Sequence, residues 1–356
     1  MRAKIGNKPI GQNGRVYIVF EAGATHTGLS SAKELARVAK EAGADAIKFQ
    51  MLYADRLMAD RRVLFEYGYL ERVGKELGLK HFREPLYEIL KRRELSREEW
   101  KALKLHCDEI GITMICTATF EDEIDFLVDK LGVPAIKICS GDVDYLHLIR
   151  YAAGKNVNLQ LDTGGAEIWE IEKAVRAAEE VGCRNLVIHL CPTGYPARLE
   201  SINLRMIATL KSLFPEYAVA FSDHSPGWEM DVAAVALGVD LLEKTITLDR
   251  TIRSCEHAFS LEPKEAKEFV RVIREVEKAL GSSRRSFPAA WREKLKVARR
   301  SPYAKKDLSV GTILRREDFE FRRPQTGLTD EEFSFVLGKA LRRELKKGEV
   351  LTHEHV

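Results

Sequence analysis

The sequence predicts an α/β protein, a (β/α)8 barrel followed by a small β-rich domain. Three observations point there. Short apolar, β-branched runs alternate with amphipathic helical patterns from about residue 16 to about 281. Units of roughly 25–40 residues in this alternation indicate parallel strands joined by right-handed crossovers. Eight strand-then-helix units can be traced, which favours closure into a barrel over the alternative, an open doubly wound sheet. Polar residues also recur at one phase, just past the strand ends, where the catalytic groups of barrel enzymes sit.

The first strand, VYIVF, ends at Glu21 and enters the turn FEAGATHTG. That turn contains His26 and leaves backbone N–H groups open to an anion. SAKELARVAKEAG (31–43) repeats apolar residues at helical spacing and ends at a glycine suited to the C′ position. ADAI then leads to Lys48 and Gln50. Residues 53–96 stretch the second unit, with charge-rich helix-like pieces in REPLYEILKRREL; an insertion there predicts a lid or wall over the site. ITMIC leads to Thr117 and Thr119, AIKICS carries Lys137 and Ser140, and NLQL leads to Asp162 and Thr163. After a helix over 167–182, NLVIHLC precedes Tyr195, YAVAF precedes Ser222-Asp223-His224, and DLL precedes Glu243-Lys244. The helix over 263–281 closes the barrel, 1–281. Residues 282–298 read as a linker with a charged helical piece, and 299–356 as a small β-rich domain, too small to be very stable alone.

Composition narrows the function. Lys+Arg 57 against Asp+Glu 54 leaves a net charge of +3, which gives no basis for a nucleic-acid partner. An anionic substrate must be held by a local cluster of positive groups. The basic run KKDLSVGTILRRED lacks interleaved aromatics and reads as domain surface. Six cysteines without CxxC spacing, several inside apolar strands, predict free thiols and a cytoplasmic setting. No apolar leader core or stretch of about 18 apolar residues predicts a membrane segment. Trp169, Trp228 and Trp291 are expected to pack rather than bind ligand.

A lysine inside a barrel strand either snorkels outward beneath the helices or points into the mouth to hold an anion. Lys48 and Lys137 occupy equivalent positions, and Ser140, Thr163 and Ser222 lie at other strand ends. Together they predict a phosphate and carboxylate site. His224 suits a metal ligand, a general acid/base or a hydrogen-bonded structural histidine. Glu243, Glu256 and His257 offer further ligands, and a cation held by histidine and carboxylates would polarise a carbonyl. The spacing matches no zinc motif, so the metal's identity stays open.

On these residues the chain resembles the sialic acid synthase family. FEAGATHTG is similar to the family's AEIGxNHxG, GADAIKFQ to GADAVKFQ, VPAIKICSGD to VPAYKIASGE, CPTGYPARLESINLRMI to CTSxYPxxxxxxNLxxI, and FSDHSPGWEMDVAAVALG to YSDHTxGxxxxxAAVALG. The tail RRSPYAKKDLSVGTILRREDFEFRRPQTGL resembles the antifreeze-like (SAF) domain that ends these synthases. The resemblance implies condensation of phosphoenolpyruvate with N-acetylmannosamine or a related 2-acetamido sugar, releasing phosphate. It implies that Lys48, Lys137, Ser140 and Ser222 hold phosphoenolpyruvate, with Thr117 and Thr163 beside them. Glu21 and Gln50 would face the acceptor, and Tyr195 would lie beside the sugar. Glu21 would handle a proton, and His224 would hold a divalent cation such as Mn²⁺ or Mg²⁺. A homodimer with exchanged SAF domains is implied too, Arg323 reaching the partner's sugar.

Departures from the pattern accompany the resemblance. Thr245 stands where the family has the second metal-binding histidine, leaving His257 as a candidate replacement. Asp162 replaces a phosphate-facing serine, Ala118 takes the register of a threonine, and Thr193 that of an asparagine. Asp142 and Glu256 replace Glu and Asp. These changes keep three alternatives open. One is a legionaminate- or pseudaminate-type synthase, another a synthase for a spore-coat or lipopolysaccharide sugar, and the third a non-catalytic sugar-binding relative.

Overall fold

Eight parallel strands close into a barrel in the computed structural model, which describes residues 3–11, 15–73 and 76–356. The strands are β1 Tyr17–Glu21, β2 Ala46–Gln50, β3 Thr113–Thr117, β4 Ala135–Ile138, β5 Asn158–Asp162, β6 Leu186–Leu190, β7 Ala218–Asp223 and β8 Leu241–Thr245. They pair in chain order, and β8 closes on β1 with Leu241 opposite Tyr17 and Thr245 opposite Glu21. All eight are the strands expected from the apolar runs.

Successive side chains of a strand face opposite sides of the sheet, so residue parity sorts each strand into inward and outward sets. Outward residues such as Ile18, Phe20, Ile47 and Phe49 pack in one large core with the surrounding helices. Phe20 meets Phe269 of helix Pro263–Leu280 at 5.7 Å, and Phe49 meets Trp100 of helix Arg97–Ile110 at 6.4 Å, edge to face. Inward residues at the strand starts, including Val19, Ala46, Ala135, Val187 and Ala218, form a second, smaller cluster. A hairpin of Ala3–Ile5 and Lys8–Ile10 joins that cluster through Ala3, Ile5 and Ile10. The barrel is therefore apolar at the end where its strands begin. Two residues further along four of these strands, the same inward parity carries Glu21, Lys48, Lys137 and Glu243.

The long second unit contains the helix expected in REPLYEILKRREL and, before it, a hairpin that was not expected. Leu64–Val73 and Glu76–Pro85 form an antiparallel hairpin, followed by the short helix Leu86–Lys91. Alternation in LFEYGYLERV puts Phe65, Tyr67 and Tyr69 on one face, the period-two pattern of a half-buried strand. Tyr67 is fully buried, and Gly68 N donates to Tyr195 O at 3.0 Å. The insertion does form a wall of the site, through Phe65 of the hairpin and Leu86, Ile89 and Leu90 of the helix.

The chain divides into two units, Met1–Gly281 and Ser282–Val356. In the second, helix Ala289–Ala298 buries none of its side chains. Ser301–Ala304 pairs antiparallel with Phe319–Arg322, and helix Asp330–Val336 is capped by Thr329. Its own core gathers Leu308, Leu314, Phe319, Phe333, Leu345 and Leu351. Trp169 and Trp291, expected to pack, are exposed, with Lys173 and Lys294 over their rings. The buried tryptophan is Trp100. Among the described residues no helix is long and apolar enough to cross a membrane.

Behind the barrel wall a charged cluster is completely shut off from solvent. Asp223 and Lys244 stand opposite each other on β7 and β8 and point outward, opposite in parity to Ser222 and Glu243. Lys244 Nζ bonds Asp223 Oδ2 and donates to Ser225 O at 2.7 Å, with Asp231 Oδ2 of helix Glu229–Ala236 at 3.4 Å. Burial, reinforced by the neighbouring Asp223 charge, pushes the Asp231 carboxyl far above its ordinary range. Asp231 is thus a neutral acid beside one balanced ion pair. Lys244→Met should then cost about 3–5 kcal/mol, because Asp223 is left buried without its counter-ion, whereas Asp231→Asn should cost under about 1 kcal/mol as an amide replaces a neutral acid. Urea unfolding of both variants measures this; equal losses would contradict the assignment.

Candidate active site

At the C-terminal ends of the barrel strands lies a cavity of about 320 Å³. Its floor is an ion-pair network. Lys48 Nζ lies 2.7 Å from Glu21 Oε2 and 3.1 Å from Glu243 Oε1. Lys137 Nζ lies 2.8 Å from the same Glu243 oxygen, 3.0 Å from Asp162 Oδ2 and 3.0 Å from Ser222 Oγ. Both lysines are buried and aimed into the mouth, as expected. Burial opposes their charge, yet Glu21 and Glu243 raise the Lys48 pKa, and Asp162 and Glu243 raise that of Lys137. Burial also opposes the Glu243 anion, but Lys137 and Lys48 outweigh it and hold the carboxyl well below the usual range. Two ammonium groups therefore face three carboxylates.

The remaining expected residues fall at different depths. Gln50, Thr117, Ser140, Tyr195, His224 and Glu256 line the cavity. Gln50 Nε2 donates to Glu21 Oε1 at 2.9 Å. A Cβ on Gly23 would lie 2.5 Å from Gln50 N and 2.7 Å from Glu21 Oε1, so only glycine lets the first loop pass over this pair. Ser140 Oγ accepts from Gly164 N at 2.9 Å. Thr163 and Ser222 stand behind the lining; the Thr163 hydroxyl donates to His189 O at 2.6 Å. Tyr195 and His224 stack at 4.9 Å, and Phe65 of the hairpin meets Tyr195 at 5.9 Å. Burial, then Glu21, pushes the Glu256 carboxyl up to about 7. Arg323 lies in the second unit and is exposed.

The donor set does not fit a resident divalent cation. Among the described residues no group of three or more His, Cys, Asp or Glu side chains converges to hold one. Thr245 presents only a hydroxyl, 3.5 Å from Glu256 Oε2. His257 does not join His224: its Nδ1 bonds Thr247 Oγ1 at 2.8 Å, and it lines a different cavity. His224 keeps a buried Nδ1 with no partner, and burial lowers its pKa, so it is a neutral ring packed against both Tyr195 and Phe259.

Three residues beneath or beside the site were not among those expected. His189 of β6 is completely buried between Ser222 Oγ (2.8 Å from Nδ1) and Gln160 Oε1 (3.0 Å from Nε2). Gln160 Nε2 in turn donates to Asn158 Oδ1 at 3.1 Å. The Gln160 oxygen is thus the acceptor, which places the His189 proton on Nε2 and points the Ser222 hydroxyl at Nδ1. Ser222 then accepts from Lys137 and fixes where that ammonium sits. Inward parity with Val187 is the signal that would have found His189, and Gln160 sits likewise two residues before Asp162. Arg93, which also lines the cavity, carries no such signal, because it belongs to the insertion.

Burial holds His189 down to about 3, and His26 and His257 to about 4. The unfolded chain takes up protons on these groups first, so their contribution to stability is complete above about pH 6.5 and declines as pH falls toward the folded values. Between pH 7 and pH 5 the His189 share of this loss should be about 2 kcal/mol. Urea unfolding of His189→Gln at both pH values should show a difference smaller by that amount; the same difference as wild type would refute the neutral ring.

Comparison with known proteins places this geometry. The NeuB family model matches residues 35–285 and the SAF domain model residues 299–356. The chain is 35% identical over 98% of its length to an uncharacterized protein of Methanocaldococcus jannaschii, 97% of which is covered. It is 33% identical over 99% of its length to the N,N'-diacetyllegionaminic acid synthase of Legionella pneumophila, again covering 97%. The crystal structure of an N-acetylneuraminic acid synthetase from Leptospira borgpetersenii in complex with citrate superposes with a TM-score of 0.71 at 29% identity, covering 83% of this chain and 95% of that one. With the barrel fold and both domain models in agreement, the chain belongs to the NeuB family of sialic acid, legionaminic acid and related sugar synthases.

Proposed function

We propose that the protein condenses phosphoenolpyruvate with N-acetylmannosamine or a related 2-acetamido sugar, forming a nonulosonic acid and phosphate. The observation that carries this reading is the convergence of Lys48 and Lys137 on one cavity at the strand C-terminal ends. An ammonium pair of this kind suits a small donor bearing both phosphate and carboxylate. Asp162 Oδ1 and Glu243 Oε2 are buried and accept no hydrogen bond, which favours a hydroxyl-rich acceptor beside the donor.

The enol carbon of phosphoenolpyruvate forms the new bond to the sugar aldehyde carbon, and the aldehyde oxygen becomes a hydroxyl by gaining a proton. Water adds to the resulting cationic C2 and loses a proton; the new C2 hydroxyl then gives its remaining proton to the departing phosphate as the C2 carbonyl forms and the C2–O bond to phosphate breaks. Glu21, paired with Gln50 and Lys48, is positioned for proton handling near the acceptor. Glu256 reaches near-neutral pH partly protonated and can supply a hydrogen bond to the aldehyde oxygen. No step runs through a cation. Exchange of the second unit in a homodimer, with a partner's Arg323 at the sugar, belongs to the same reading. A legionaminate-type acceptor is the second form of it, on the strength of the Legionella relative.

Phosphate release from phosphoenolpyruvate should require a 2-acetamido sugar from a panel including N-acetylmannosamine and its diacetamido analogues. Lys137→Ala should lower kcat/KM for phosphoenolpyruvate by about 100-fold or more. Turnover should also survive exhaustive chelation with EDTA. No release with any sugar would favour the sugar-binding alternative, and an unchanged phosphoenolpyruvate response in Lys137→Ala would remove the donor assignment.

A further inference from the structure

A file of hydrogen bonds runs in one direction from the site through the barrel interior. Lys137 Nζ donates to Ser222 Oγ at 3.0 Å, and the Ser222 hydroxyl donates to His189 Nδ1 at 2.8 Å. His189 Nε2 donates to Gln160 Oε1 at 3.0 Å, and Gln160 Nε2 to Asn158 Oδ1 at 3.1 Å. Asn158 Nδ2 donates in turn to Asn185 Oδ1 at 3.1 Å. That oxygen also accepts from Lys4 N, in the hairpin at the far end of the barrel, at 2.8 Å. Ser222, His189, Gln160 and Asn158 are buried, and among the described residues none of their buried side-chain nitrogens or oxygens lacks a partner. The fold alone does not call for polar groups here. The interior of a (β/α)8 barrel is ordinarily filled by branched apolar side chains, and replacing both partners of a buried hydrogen bond by apolar groups is close to neutral.

What the column changes is the setting of Lys137. An ammonium has three N–H donors, and those of Lys137 meet Glu243, Asp162 and Ser222. The two carboxylates are the contacts that an incoming anion must replace. Ser222 is neutral and can stay. Every donor in the file points away from Lys137, so the negative end of each dipole faces the ammonium, and a head-to-tail chain strengthens its own members. Gln160 matters because it keeps the ring proton of His189 on Nε2. With that proton on Nδ1, the Ser222 hydroxyl would have to turn its hydrogen toward the ammonium. We propose that His189 is a positioning residue for the donor: through Ser222 it holds the Lys137 ammonium in place while phosphoenolpyruvate takes over from the carboxylates. This rests on the donor reading of the central cavity.

The test is calorimetric titration of phosphoenolpyruvate, without sugar, into wild type, His189→Leu, His189→Gln, Ser222→Ala and the double variant of His189→Leu with Ser222→Ala. His189→Leu should weaken binding about tenfold or more, the loss expected when a hydrogen bond to a charged group is undone. His189→Gln, which keeps an acceptor and a donor, should recover part of that loss. Once Ser222→Ala has cut the column, His189→Leu should bring no further loss, whereas a histidine needed only for packing would weaken both backgrounds equally. Gln160→Met, one link deeper, should weaken binding about threefold or more and serves where His189→Leu does not fold. Wild-type affinity in His189→Leu, or in Gln160→Met if His189→Leu does not fold, would overturn the positioning role and leave the donor reading standing. Equal losses in the two backgrounds would do the same. No binding of phosphoenolpyruvate to wild type would overturn the donor reading, and the positioning role with it.

Discussion

One carboxylate oxygen, Glu243 Oε1, accepts from Lys137 at 2.8 Å and pairs with the Lys48 ammonium at 3.1 Å, and the site depends on that bridge. Two ammonium groups cannot be buried side by side without a shared counter-charge, and each would lose its proton or turn outward if left alone. Glu243 stands on β8, Lys48 on β2 and Lys137 on β4, so the bridge ties together strands far apart around the barrel. Asp162 and Glu21 complete the neutralisation from β5 and β1. A ligand that comes to the lysines must therefore exchange with carboxylates already in place.

The rest of the barrel holds this floor in register. Below it, the column Ser222–His189–Gln160–Asn158 orders donors and acceptors along the barrel interior, so the Lys137 ammonium meets a hydroxyl whose own proton points away. Behind it, the Lys244–Asp223 pair anchors the end of β7, from which His224 follows directly. The two charged clusters stay separate because one-residue parity sends Glu243 inward and Lys244 outward from adjacent positions.

Much of this was legible in the residue pattern. Eight apolar runs, polar residues past their ends and inward-phased lysines were enough for the barrel, the site's position and its two ammonium groups, but not for the pairing of those groups with three carboxylates. The helix-like piece in REPLYEILKRREL is the helix Leu86–Lys91, but the hairpin at 64–85 before it was not anticipated, because charged residues masked the alternation of Phe65, Tyr67 and Tyr69. His189 went unnoticed because a histidine inside an apolar run reads as core until its parity is compared with that of Lys48. Arg93 was beyond sequence reasoning: it belongs to the insertion, and only the folded chain brings it to the cavity wall. His257 followed Thr245 closely enough to look like a substitute ligand, but the turn containing Glu256, in a left-handed conformation, sends it to the neighbouring cavity.

Asp162 is the most direct point of attack. Its carboxylate lies 3.0 Å from the Lys137 ammonium, on the contact an incoming anion needs. Calorimetry of phosphoenolpyruvate binding to wild type and Asp162→Ser measures this competition in a single comparison. If the floor is an ion-pair network that the donor must open, the serine variant should bind phosphoenolpyruvate about tenfold or more tightly, a gain of about 1.4 kcal/mol. Unchanged or weaker binding would mean that the donor does not displace Asp162, and the proposed role of the lysine pair would fall with it.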